Sequence, residues 1–382
     1  MKRLALPAAG WCARAALLVS TLLPGAWGGV AQGQPLPPLF PIRQGDLHGL
    51  INLEGQVVLP PEYSELRLGQ PYIMLRKGYR TAYADGDGKL VIEPQDELSQ
   101  PFADGLVPMR GKDGSGKLRW GYADPKRQLV IAPAFDDAQP FVDGLAVVGI
   151  ADAWGAMKYG AIDRSGKLVV PAQHDKLLAP GGGLVRAEAR QGPDRTHRVF
   201  DARGRDITPP GVDFVGIASD GMVRVWAGRQ QGFMSVTGQL VVPPRYAQAS
   251  DFKEGLARVW IDGKYGYIDK TGALVIPAKY ESAEDVSDGL ALVKDNGRPQ
   301  FLDKHGKLVL APEAERVWPF SQGLAVVKVG GKHGYIDKQG RMVIEPQFSF
   351  ARPFGNGLAF VGAGRMSGYI RPDGKFVWKA DS

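Results

Sequence analysis

Cysteine is all but absent from this chain of 382 residues. Its one example, Cys12, lies ahead of an apolar run and follows Trp11 rather than the small residue expected before a lipid-anchoring cysteine. Once the N-terminal segment is removed, the protein has no disulfide, no thiolate metal site and no cysteine nucleophile. Long apolar runs are missing too. After the first 31 residues no stretch is long enough to span a bilayer, so an integral membrane protein is not expected. Excess charge of one sign is small: 47 Lys and Arg stand against 40 Asp and Glu. Loss of Lys2, Arg3 and Arg14 with the leader lowers the formal charge from +7 by three, to +4. A nucleic-acid partner is not expected, because such partners select a clustered basic face. Helix is also disfavoured. The chain carries 51 Gly and 29 Pro, and in a helix interior these cost about 1 and about 3 kcal/mol each relative to Ala.

What is present is apolar and turn-rich. With 44% hydrophobic residues and no strict glycine every third position, the chain is neither disordered nor collagen-like. A positive flank, the apolar run Ala15 to Leu23 and the small residues Gly29 and Ala31 follow one another in the order of a secretory signal peptide. Residues 1–31 are therefore read as a cleaved leader and 32–45 as a Pro-rich extended spacer. Residues 46–382 are read as a repetitive β array in an exported protein, periplasmic or extracellular.

The array announces itself by period. The tripeptide Gly-Leu-Ala, or a close variant, begins at Gly105, Gly144, Gly183, Gly221, Gly255, Gly289, Gly323 and Gly357. A second series marks the glycine of an Asp-x-x-Gly turn at positions such as Gly166, Gly272, Gly306 and Gly340, with Arg127 in the slot after Gly88. Both series settle to a spacing of 34 residues, and together they predict about ten tandem copies. Within each copy the periodicity is two, not 3.6. Ala257, Val259 and Ile261 alternate with Arg258 and Trp260, then Gly266 to Asp269 runs through a turn into Leu274 to Pro277. Asp163, Asp269, Asp303 and Asp337 suit the first position of a type I turn, with a left-handed glycine at the fourth. Each copy thus encodes roughly three short antiparallel strands. A unit of that size cannot bury a core alone, so Leu256, Leu290, Leu324 and Leu358, with Phe252, Phe320 and Phe354, are expected to stack between copies. An all-β open, solenoid-like array is the first expectation, and a closed β-propeller is the alternative.

The unit Gly-Tyr-Ile-Asp-Lys-x-Gly-x-x-Val-Ile-x-Pro, followed by an aromatic and Gly-Leu-Ala-x-Val, resembles the bacterial WG repeat. The naming pair survives literally at Trp120 and Gly121; elsewhere the Trp slot holds His48, Tyr159, Gln231, Tyr265, His333 or Ser367 ahead of a retained glycine. The resemblance implies a noncatalytic repeat module, often exported, and brings no catalytic residues with it.

The remaining chemistry is sparse. One Asp per repeat caps its own turn and does not bring together the six to eight oxygens calcium requires. The five histidines share no ligand spacing. Ser115 between Gly114 and Gly116 belongs to an insertion and reads as a flexible loop. No cofactor, metal site or enzyme activity is expected. The variable face of the Gly-Leu-Ala strand is the exception. Arg186, Arg224, Trp226, Arg258 and Trp260 would form an exposed ladder of guanidinium and indole planes, suited to sugar rings or to the carboxylates and aromatics of a peptide. The expected role is a binding or scaffolding surface toward another protein or an envelope polymer. Two alternatives stand beside it, an envelope component with no discrete ligand, and a glycan hydrolase whose acids would meet at about 5 to 9 Å across repeats. If the leader is read correctly, N-terminal sequencing of the exported protein places its first residue between Gly29 and Gln34; an intact Met1 refutes the assignment.

Overall fold

The computed structural model describes residues 36–381 apart from Gln70, 96–99 and 192–193. The predicted leader, its cleavage window and Cys12 lie outside those residues. The second of the chain's two units, Gln32–Ser382, holds every described strand. Ten antiparallel sheets follow one another along it, at residues 40–63, 65–95, 107–135, 137–174, 176–200, 214–246, 248–280, 282–310, 316–348 and 350–381. They are numbered here as blades 1 to 10. Among the described residues there is no helix, and none long and apolar enough to cross a membrane.

Blade 7 shows how the repeat makes a sheet. The strand Leu256–Ile261 pairs with Lys264–Asp269, which pairs in turn with Leu274–Tyr280. Between the last two strands, Asp269 accepts hydrogen bonds at Oδ1 from the N–H groups of Thr271 and Ala273 (2.9 and 3.0 Å) and from the Thr271 hydroxyl (2.6 Å). These bonds, with that of the Thr271 hydroxyl foremost, hold the Asp269 carboxyl below its ordinary range. Gly272 donates to Asp269 O and takes φ +84°, the left-handed value the turn needs. The glycine of the naming pair has another reason. A Cβ on Gly266 would lie 2.6 Å from the Ile276 carbonyl oxygen, because the strands are bulged together there. The variable residue before it, Tyr265, pairs across the sheet with Tyr280. His48 with Tyr63, Trp120 with Phe135 and His333 with Phe348 repeat that pairing. The slot asks for a side chain that covers its partner, and several types do so.

Seven blades gain a further strand ahead of the three predicted, often only two residues long, as in Gln248–Ala249. The insertion at Ser115 is an ordered hairpin turn and not a flexible loop. Asp113 accepts from Ser115 and Lys117 just as Asp269 does in its own turn.

The core lies between blades. Phe252 of the chain entering blade 7 meets Phe233 of blade 6 at 4.7 Å between ring centroids, and Phe320 meets Phe301, and Phe354 meets Tyr335, in the same way. Buried tyrosines add a directed bond. Tyr83, Tyr122, Tyr267 and Tyr335 each donate a hydroxyl to a carbonyl 17 residues on, at Gln100, Gln139, Glu284 and Arg352. Burial raises the pKa of Tyr267, so its phenol stays a donor.

Tyr369 makes the corresponding bond backwards, to Pro41 O in blade 1 at 2.8 Å. Phe40, Ile42 and Ile51 of blade 1 share a buried cluster with Leu358 and Tyr369 of blade 10. Leu53 of blade 1 packs where a Cβ on Gly357 would come. The chain therefore closes into a ten-bladed β-propeller, and the open array is overturned. The end units carry apolar faces that cover each other. The first strand, Phe40–Gln44, lies inside the segment read as spacer. Its inward Phe40 and Ile42 alternate with Pro41 and Arg43, and at a sheet edge Pro41 needs no ladder donor.

Gly272→Val should cost about 1 to 2 kcal/mol for the positive φ alone, and more because its Cβ would meet Val242 Cγ2 at 2.8 Å. Lys270→Ala removes only a partly exposed pair with Asp220, a loss of at most about 1 kcal/mol. Urea melts should order the two variants that way, and Gly306→Val and Gly340→Val should fall with Gly272→Val.

Candidate functional site

The five ladder residues do not form one ladder. The guanidinium of Arg186 in blade 5 donates to Val215 O in blade 6. Arg224 donates to Ala249 O in blade 7, and Arg258 to Ala283 O in blade 8. Each Arg thus crosses a seam to the short leading strand of the next blade, where it satisfies a carbonyl. Acidic neighbours hold them there as well: Arg224 lies 3.1 Å from Asp251, and Arg258 lies 3.7 Å from Asp285. Trp226 is packed by its own blade, edge-on to Phe214 at 5.0 Å with Arg224 over its ring at 4.8 Å. Arg186 lies over the same Phe214 at 4.6 Å, so Arg186, Trp226 and Arg224 form one stacked assembly.

Trp260 differs. Its half-buried indole lines a groove of about 640 Å³ with Arg245, Tyr246, Ile261 and Asp262. Arg245 lies over the Tyr246 ring at 5.1 Å and donates to the Tyr246 hydroxyl and, across the seam, to Gly272 O. Sequence reasoning missed Arg245 and Tyr246. They end the third strand, a position whose variation from copy to copy was the available signal, and only folding brings them beside Trp260.

A second feature runs from blade to blade. Residues ahead of the Gly-Leu-Ala glycines take positive φ, Asp220 at 52° and Glu254 at 49° among them, and accept from the glycine N–H of the next blade. Asp104 accepts from Gly144 at 2.8 Å, Asp220 from Gly255 at 2.6 Å, Glu254 from Gly289 at 2.9 Å and Gln322 from Gly357 at 2.8 Å. Lys270 and Lys304 reach back to Asp220 and Glu254 at 2.8 and 3.4 Å. The carboxylates on this rim are thereby engaged with backbone donors and lysines. Among the described residues no group of three His, Cys, Asp or Glu side chains could hold a metal ion. The turn acids Asp163, Asp269, Asp303 and Asp337 each accept from their own turn.

Comparison with known proteins agrees with the repeat. The family described as WG containing repeat matches residues 49–68, 120–154, 159–188, 232–265, 265–298, 301–332 and 334–362, together more than half of the chain. No curated protein sequence matches it. Among solved structures, the extracellular domain of a putative hybrid two-component system from B. thetaiotaomicron is similar at 10% identity and a TM-score of 0.24. That alignment covers 92% of this chain and 66% of the other. The extracellular domain of a putative one-component system from the same organism gives 11% and 0.27, covering 90% and 64%. Kluyveromyces lactis Hsv2p gives 10% and 0.33, covering 64% and 96%. This chain spans slightly less than two thirds of either extracellular domain.

The geometry separates the ladder residues by function. Arg258→Ala strands the buried Ala283 carbonyl and should destabilise by about 1 to 3 kcal/mol. Trp260→Ala, at the groove surface, should shift a denaturant midpoint much less. Equal midpoints would contradict the seam role of Arg258.

Proposed function

The chain belongs to the WG containing repeat family, and from that premise we propose that it is a noncatalytic binding module that holds another protein or an envelope polymer. The groove at Trp260 carries this reading. An indole and the Arg245–Tyr246 pair line it together, so a sugar or peptide group can stack there while its polar edge meets Arg245 or Asp262. Export to the periplasm or beyond completes the proposal and is supported by the order of charges, apolar run and small residues before Gln32.

One observation favours the second reading, an envelope component with no discrete ligand. Arg186, Arg224 and Arg258 are engaged in seam bonds and leave little free cationic surface at their positions. The two readings part at Trp260. Affinity capture from envelope extract should recover a partner with the wild-type protein and with Trp226→Ala, and lose it with Trp260→Ala. Identical captures from wild type and a Trp226→Ala, Trp260→Ala double variant would leave the inert reading.

A further inference from the structure

The seam that closes the ring is built differently from those that follow blades 5, 6 and 7. In blades 5, 6 and 7 the strand position after Leu-Ala or Val is an arginine that bonds to the next blade's leading strand. In blade 10 that position is Phe360, and the first sheet has three strands among its described residues. Phe360 pairs with Tyr369, and Tyr369 pairs with Trp378, so one row of three aromatics crosses three strands. Their ring centroids are 4.9 and 6.1 Å apart, and Phe40 of blade 1 closes on Tyr369 from the other side at 5.4 Å.

This row floors a cavity of about 370 Å³ between blades 1 and 10. Its polar lining is Arg43 and His48 from blade 1 and Arg352 and Ser367 from blade 10, with no acidic side chain. Two other seam cavities contain acids: Asp262 at the Trp260 groove, and Glu284 and Glu315 between blades 8 and 9. Arg43 and Arg352 are exposed at the cavity, and neither has a carboxylate partner among the described residues. Arg352 lies over the Phe360 ring at 5.9 Å, and the Tyr369 hydroxyl is committed to Pro41.

We propose that the closing seam is a binding site for a carboxylate carried on a ring. The guanidiniums of Arg43 and Arg352 pair with the carboxylate, and the ring lies on Phe360 and Trp378. Two cationic groups from opposite blades and no competing acid select an anion. The aromatic row selects a flat or ring-shaped body. The volume is near the lower end for ligand pockets, so it admits one ring or a chain end and not the middle of a polymer. Because its two cations come from the first and last blades, the ligand bridges the ring's closure and stabilises the closed form by mass action. Acid sugars and aromatic acids share this chemistry.

The test uses the mature protein with glucuronate, glucose, phenylacetate and phenylethanol as probes, read by calorimetry and thermal melting. At least one of the two acids should bind and raise the melting temperature, and its neutral counterpart should not; which acid binds names the source. An Arg43→Gln, Arg352→Gln double variant should weaken that acid by about tenfold or more, and an Arg43→Lys, Arg352→Lys variant should recover part of the loss. Trp260→Ala should leave it unchanged, which separates this site from the groove of the proposed function. If neither acid binds, if neutral probes bind equally, or if the double Gln variant melts like wild type and binds the acid as tightly, the proposal is overturned.

Discussion

The Tyr267 hydroxyl donates to a carbonyl in the following blade, and the Tyr ring that carries it is buried against that same neighbour. This one contact states the constraint on the whole molecule: a blade has no interior of its own. Its three or four strands form a sheet whose apolar faces are covered only by the sheets before and after it. Arg258 to Ala283 joins the same pair of neighbours, and Phe252 against Phe233 and Asp220 to Gly255 join blade 7 to the blade before it. Stability is therefore a sum over seams, as in other repeat proteins, and an uncovered end would expose a full seam of Leu, Phe and Tyr.

That constraint explains which residues hold still and which vary. Glycine at 266 stands where a backbone oxygen leaves no room for a Cβ, and glycine at 272 where the turn needs positive φ. The Trp slot beside Gly266 only has to cover an aromatic across the sheet, so His, Tyr and Gln serve there as well as Trp. The same logic moves function to the seams. Side chains that cross a seam and find a carbonyl are structural, as Arg186 and Arg224 are. Those that reach a seam and find open space, such as Trp260 and Arg43, line cavities.

Much of the blade was legible beforehand. The Asp-x-x-Gly turns, the three strands and the phased Leu and Phe all follow from local rules, because turn chemistry and period two act over a few residues. The candidate site was legible only in part. Trp260 could be named from its alternation, but the same alternation placed Trp226 and the three arginines on a free face. The arginines lie instead against the next blade, 25 to 29 residues along the chain, while Trp226 packs on Phe214 of its own blade, and no local pattern reports either placement. Arg127 in a glycine slot adopts φ 63° nonetheless, a case of surrounding structure overriding a residue's own preference.

By itself the sequence determined that this chain is all-β, that it repeats about ten times, and which residues turn the hairpins, since each of these depends on contacts within one repeat. Only the tertiary structure decided that the array closes. Closure depends on small rotations accumulated over ten seams, and no single repeat contains that sum. It also decided what Phe360 means: read along the chain it is one more variable residue, but in the ring it joins Tyr369 and Trp378 as the floor of a cavity whose far wall is the strand Phe40–Gln44.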